Sequence, residues 1–433
     1  MQTQRIVIVG AGFGGLYTFR RLQHRYAKQP RVKLTLVNPE NYFLFTPLLH
    51  EVATGGVSPQ NAVEPIRKVT GCCGTDFVLA AAERISFKHK HVLTKFGQLP
   101  YDTLVLAPGA ETNFYDVDGA AKYAFELKTL NDAVRLKNHF IDLFEQAAQL
   151  SPQALSPLRP SRSKEKLLSF VVVGGGPTGV ELAAEMSDFF YDTLARYYPT
   201  ETVMRHVQIT LVESGAELIS QFSPPLRQKA LETLRRKQID VRLGTRVTSV
   251  TSQAAVLSTG ENIPTATTIW VAGVKPKRIP SDLPLKQDTC ERVMVDQFLR
   301  LPGQADVYIL GDAALCLDGQ RPLPATAQTA TQQAKTVAEN IIRAIEGRPL
   351  QPLLYKHRGN LISLGQWMAL AEISNFNFWG RVTWWLWRTV YLSKFISWNK
   401  KIDVALDWTL SIFAHRDMSR LVYEADQPQS SRE

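Results

Sequence analysis

Short apolar runs that stop at glycine set the rhythm of this chain. Arg5-Ile6-Val7-Ile8-Val9 runs into Gly10-Ala11-Gly12-Phe13-Gly14-Gly15. Far downstream, Phe170-Val171-Val172-Val173 runs into Gly174-Gly175-Gly176-Pro177-Thr178-Gly179. Runs with no polar alternation predict strands buried on both faces, as in a parallel sheet with helices on either side. After each glycine turn the pattern predicts a helix and then another strand. That strand is Val32–Val37 in the first unit, ending at Asn38, and Val207–Val212 in the second, ending at Glu213. Leu104-Val105-Leu106 before Ala107-Pro108-Gly109 predicts a further strand, as does Asp306–Leu310 before Gly311-Asp312. Residues 325–345 predict a helix. The plan is a duplicated α/β architecture with two doubly wound, Rossmann-like nucleotide domains. Residues 151–166, rich in Pro, Ser and charge, predict an exposed loop before the second unit.

The two glycine turns carry the first chemical reading. A lone G-x-G-x-x-G is weak, but two, each between an apolar strand and a helix, predict two dinucleotide sites. The glycines provide a tight turn, close backbone approach to a pyrophosphate, and close helix–strand packing. The helix start adds free N–H groups and the positive end of a dipole. Glu213 is placed to accept from ribose hydroxyls and to repel a 2′-phosphate, which predicts NADH over NADPH. Asn38, at the equivalent place, is an amide that bonds a ribose more weakly. Gly311-Asp312 suits a flavin ribityl chain. The aromatic stretch Asn41–Leu49, with Pro47, suits a loop over a flat ligand.

Length and charge refine this. A chain of 433 residues requires more than one core. The net charge of +10 is concentrated late: residues 341–420 hold eleven Lys/Arg against five Asp/Glu. Seven of the eight tryptophans lie between Trp367 and Trp408. Trp beside basic residues points to a lipid interface rather than to nucleic acid. Arg381, Arg388 and Lys394 interrupt the Trp379–Trp398 stretch, so no spanning helix is expected. Only Met-Gln-Thr-Gln precedes the first strand, and no signal peptide is expected. Cys72, Cys73, Cys290 and Cys316 show no metal spacing and are expected to be reduced thiols.

The motifs together resemble the type II, non-proton-pumping NADH:quinone dehydrogenases. The similar stretches are Val9–Leu16, Asn41–Leu49, Ala107–Gly109, Val173–Ala183, Trp270–Val274, Gly311-Asp312 and Pro324–Gln333. The Ala-Gln-x-Ala-x-Gln piece at 327–332 is the most specific. The resemblance implies FAD on the first unit, at Gly10, Gly12, Phe13, Gly14, Gly15 and Asn38, with Thr46, Pro47, Gly109 and Asp312 lining the flavin. It implies NADH on the second unit, at Gly174, Gly176, Pro177, Thr178, Gly179, Glu213 and Gly273. Ala327, Gln328 and Gln332 match a quinone-site motif. Without the resemblance, the two Gln side chains read as a solvated helix face.

Glu181 matches the acid of the family's Gly-x-Glu segment and reads either as a proton carrier or as a first-turn acid facing the dipole. No metal is expected. The implied organisation has a glutathione-reductase-like FAD domain at 1–115 and 286–345, an NADH domain at 116–285, and a membrane-anchoring or dimerising segment at 346–433. The expected protein is peripheral on a membrane, with its nucleotide domains on the cytoplasmic face, and a homodimer. Two alternatives remain at this stage: a sulfide:quinone oxidoreductase, which needs paired redox cysteines near the flavin, and a non-catalytic NADH-sensing flavoprotein.

Overall fold

The computed structural model describes residues 3–27, 29, 31–71, 75–149, 167–198, 203–319, 321–374, 376–413 and 416–421. Cys72, Cys73 and the 151–166 segment lie outside them. The chain forms two compact units. One comprises residues 1–44, 63–111 and 274–357, the other 45–62, 112–273 and 358–433.

The first unit is built on a six-stranded sheet. Its order is Arg300–Leu301, Gln304–Ile309, Thr103–Leu106, Gln4–Val9, Val32–Asn38, Thr75–Leu79. All neighbours are parallel except the antiparallel edge strand Arg300–Leu301. Ile6, Ile8, Leu36, Leu104 and Val105 are fully buried, as uninterrupted apolar strands require. Helices Phe13–Tyr26 and Ala327–Ile345 pack against each other in this unit.

The second unit repeats the plan with five parallel strands, ordered Phe125–Glu126, Thr267–Trp270, Ser169–Val173, Gln208–Val212, Ile239–Arg242. Its glycine turn opens helix Pro177–Ser187, which continues as a π-helical stretch, Asp188–Thr193. An antiparallel sheet, Asn360–Ser363, Ala369–Ile373, Phe376–Gly380, precedes helices Arg381–Lys394 and Trp398–Phe413.

The organisation implied by the resemblance places residues 45–62 in the first nucleotide domain and 346–433 in a separate segment. In the structure both 45–62 and the chain from Arg358 onward group with the second fold. Side-chain contacts account for this. The Phe45 ring stacks on Phe395 at 4.4 Å, and Asp407 accepts from the Ser58 backbone at 3.0 Å and the Asn61 amide at 2.7 Å.

Candidate functional site

The two glycine turns are built alike, position by position. Gly10 and Gly174 have φ of +96° and +115°, where a side chain would be strained. A Cβ on Gly10 would lie 2.1 Å from the Ala107 carbonyl oxygen, and one on Gly174 would lie 2.5 Å from Ala272 Cα. A Cβ on Gly15 or Gly179 would sit 1.8 Å from the Gly10 or Gly174 carbonyl oxygen, respectively. By contrast, a Cβ on Gly12 or Gly176 would meet nothing within 4 Å. Four glycines close the turn, and two leave open space at a helix start.

Those helix starts suit an anion. Gly12 caps Phe13–Tyr26 and Gly176 caps Pro177–Ser187, neither with a capping side-chain bond, and neither first turn holds an acid. First-turn N–H groups lack intrahelical partners, so a phosphate is a fitting acceptor there. Residues of the first unit thus fit the pyrophosphate of a dinucleotide, and so do those of the second.

The strand-end residues also correspond. Asn38 Oδ1 accepts the Ala11 backbone N–H at 2.9 Å, and its Nδ2 donates to the Glu40 carbonyl at 2.9 Å. Glu213 accepts the Gly175 N–H at 2.5 Å and the Gly215 N–H at 2.6 Å. Each ties the second turn residue to its sheet. Only Glu213 brings a negative charge.

Near Gly311-Asp312 the structure adds a residue the pattern missed. Gly311, with φ of +76°, donates its N–H to Gln333 Oε1 at 2.7 Å, while Gln333 Nε2 donates to Cys316 Sγ at 3.1 Å. Burial pushes the Cys316 thiol up to about 12, so it stays protonated. Asp312 is half-buried beside this lock, in the short turn Gly311–Ala313. Gly109, with φ of +74°, leaves open space where a Cβ would stand. Phe13 packs edge-on to Phe43 at 5.1 Å. Thr46 and Pro47 start the short turn Thr46–Leu48 of the second unit, and Gly273 packs on the Tyr115 ring.

The predicted Gln pair divides. Gln328 is half-buried in the first turn of Ala327–Ile345, whose cap Thr326 accepts from the Thr329 N–H. Gln332 is engaged elsewhere: its amide donates to the Lys356 carbonyl at 2.9 Å and accepts the Lys356 N–H at 3.0 Å. Its role in the structure is to pin the 356 segment.

Glu181 is buried in the second unit and accepts the Ser363 N–H at 3.1 Å. Burial raises its carboxyl well above the ordinary range, and the nearby acids Glu51 and Glu185 add to the rise. His50 Nδ1 lies 3.9 Å away. Burial, with Arg416 near, lowers the imidazole to about 3. Burial disfavours the charged form of both groups, so the contact gains little as a salt bridge.

Residues 4–334 match the pyridine nucleotide-disulphide oxidoreductase family, and 357–417 match the NDH2 C-terminal domain. The type II NADH:quinone oxidoreductase Ndh of Mycobacterium tuberculosis is 30% identical over 95% of this chain and 89% of its own. The chain belongs to the type II NADH:quinone oxidoreductases. A probable NADH dehydrogenase of Dictyostelium discoideum is 29% identical, covering 97% of this chain and 92% of its own.

Among solved structures, NDH2 from Plasmodium falciparum in complex with NADH shares the fold. Its TM-score is 0.86 at 21% identity, over 96% of this chain and 100% of that one. The sulfide:quinone oxidoreductase of Aquifex aeolicus shares it less closely, with a TM-score of 0.72 at 17% identity over 95% of both chains. The cofactor of this type II NADH:quinone oxidoreductase is FAD, and the first unit's open turn fits a dinucleotide of that kind. The sulfide and sensor alternatives give way to the family. Cys290, exposed, and Cys316, buried, are both free thiols.

Proposed function

We propose that this enzyme oxidises NADH and reduces a membrane quinone, without pumping protons, through the residues placed above. FAD supplies a ring that takes a hydride from NADH and hands two electrons to the quinone. Gly12, Gly14 and Gly15 present backbone amides to its pyrophosphate, Gly10, whose N–H is held by the Val37 carbonyl, closes the turn, and Phe13 and Asn38 lie beside them. The Gln333 lock holds Asp312 toward its ribityl chain, and Gly109 leaves room alongside. Gly176, Thr178 and Gly179 do the same for NADH, with Gly174 and Pro177 shaping the turn, Glu213 toward the ribose and Gly273 nearby. The observation that carries the reading is the duplicated turn: two closed, capless helix starts, each with one glycine open to a ligand.

Gln328 is assigned as donor to a quinone oxygen, beside Ala327. A quinone carbonyl gains charge on reduction, and an amide N–H aimed at it acts where charge develops. Gln332, engaged with Lys356, is assigned a supporting role. Gln328→Leu is expected to slow quinone reduction about tenfold or more, the worth of ~1.4 kcal/mol in the barrier. Anaerobic reduction by NADH should stay near wild type in stopped flow. Equal slowing of both half-reactions would make Gln328 structural.

The C-terminal helices support peripheral binding to a membrane. No helix among the described residues is long and apolar enough to cross one. Trp398, Ile402, Leu406 and Leu410, each four residues apart, form an exposed apolar stripe on the last helix, while Val404 and Trp408 face inward. Val382, Trp385 and Leu386 add exposed apolar surface on the helix before it. Arg381 sits over Trp367 and Lys401 over Trp398, so cations flank the aromatic rings as anionic headgroups favour. We assign the nucleotide domains to the cytoplasmic face and the active form to a homodimer, following the sequence reading.

A further inference from the structure

Tyr115 presents a large ring, 59% exposed, from a strained turn of the second unit. Its φ is +50°, and that of Asp116 is +55°. Consecutive non-glycine residues in the left-handed region are uncommon, and such strain persists only where the surroundings impose it. Neighbouring contacts impose it here. The Asn113 N–H donates to the Gly273 carbonyl at 3.0 Å, and the Trp270 indole donates to the Asn113 carbonyl at 2.8 Å. Asn113 Oδ1 accepts the Tyr115 N–H at 2.9 Å, and the Phe114 ring lies 6.0 Å from that of Trp270. The turn is thereby fastened to the end of strand Thr267–Trp270.

The fastening sets the Tyr115 ring on Gly273. A Cβ on Gly273 would lie 2.1 Å from the Tyr115 hydroxyl oxygen, 2.9 Å from its Cζ and 3.0 Å from its Cε2. Gly10 and Gly174 need glycine for a positive φ as well as for space. Gly273 has no positive φ, so its missing side chain serves close approach alone. The group that approaches is Tyr115.

This seat stands beside the second glycine turn. A Cβ on Gly174 would lie 2.5 Å from Ala272 Cα, so the backbone just before Gly273 borders that turn. Strand order decides which half of a dinucleotide lies there. Ser169–Val173 is flanked by Gln208–Val212 on one side and by Thr267–Trp270 on the other. A dinucleotide lies across such a switch point, outside the carboxyl ends of the strands. Glu213 follows Gln208–Val212 and is assigned to the adenosine ribose. The nicotinamide half then falls on the Thr267–Trp270 side, where Tyr115 is seated.

We propose that Tyr115 is a substrate-binding residue: its ring, seated on Gly273, forms a wall against the nicotinamide half of NADH. This rests on the NADH reading above. An exposed aromatic ring gains burial and stacking when a flat ligand ring arrives beside it. The tied turn places the ring in advance, so little freedom is lost on binding. Gly273 acts through Tyr115 rather than by touching the ligand itself.

The test compares two ligands on the oxidised holoenzyme by calorimetry: NAD+, and ADP-ribose, which lacks the nicotinamide. Tyr115→Ala should weaken NAD+ about tenfold and leave ADP-ribose unchanged, which also shows that the unit is folded. Tyr115→Phe keeps the ring and should retain most of the affinity. KM for NADH should rise in step with the NAD+ dissociation constant, while KM for quinone stays constant. Gly273→Ala should reproduce the Tyr115→Ala loss, because its methyl displaces the ring. In the double variant the two losses should not add, because the methyl then meets an empty seat.

Equal weakening of NAD+ and ADP-ribose in Tyr115→Ala overturns the proposal, since the ring would then support the unit as a whole. Unchanged NAD+ binding in that variant overturns it too. Additive losses in the double variant do the same, by making Gly273 a ligand contact in its own right. A wild type that binds neither ligand removes the NADH reading and the proposal with it, whereas a wild type that binds both beside an unaffected Tyr115→Ala removes the proposal alone.

Discussion

Asn38 and Glu213 occupy the same place in two copies of one design, and each holds the backbone N–H of the second turn residue. The bond is shared; the charge is not. Glu213→Gln keeps an acceptor for the turn and removes the repulsion of a 2′-phosphate. The NADH to NADPH ratio of kcat/KM should fall about tenfold, or ~1.4 kcal/mol. An unchanged ratio would sink the assignment of Glu213 to the ribose. This residue was legible because its place follows from counting along one strand. Gln333 was not. It sits on an amphipathic helix, next to the motif residue Gln332, and its partner Gly311 is 22 residues upstream. Gln332 shows the converse: the motif marked it, yet its amide is engaged with Lys356.

At the scale of elements, the strands and nucleotide helices followed from apolar runs and glycine turns. The tryptophan-rich region did not resolve so simply. Trp384, Trp387 and Trp408 are buried, while Trp379, Trp385 and Trp398 are exposed. Composition marks the cluster, but only packing sorts its faces. If the exposed set enters lipid, each large apolar side chain contributes about 1.5 kcal/mol or more. Changing Trp385, Trp398 and Leu406 together to Ser should therefore abolish co-sedimentation with anionic vesicles, with NADH oxidation by a soluble acceptor unchanged. Retained co-sedimentation would place the lipid contact elsewhere.

At the scale of the whole chain, a late segment completes the interior of a unit begun early. Arg416 reaches Glu185 and Thr54, Asp417 pairs with the buried Lys137 at 2.6 Å, and Leu421 exchanges two hydrogen bonds with Asn138. Arg416→Gln leaves buried carboxylates short of a cation and should cost about 3–5 kcal/mol near neutral pH.

The sign with pH follows from the raised carboxyls. A folded value above the unfolded one, as for Glu51 at about 7 against 4.5, gives stability that is full below 4.5 and lost as pH rises through 7. Losing Arg416 strengthens that behaviour. The deficit of the variant should shrink as pH is lowered from 8 toward 5 in urea unfolding, because protonation replaces the missing cation. A deficit constant over that range would remove the buried carboxyls as its cause.

The sequence by itself determined what short-range order can encode. An apolar run, a glycine turn and a helix start are local, so two nucleotide folds, the family and the residues of both turns were readable from the chain. Tertiary structure alone decided which distant groups share a low-dielectric interior. His50, Glu51, Glu181, Arg388 and Arg416 carry no common motif, and none of them announces a partner along the chain. Burial in one unit sets their titration, because a low-dielectric interior disfavours the charged form, raising the carboxyls and lowering the imidazole.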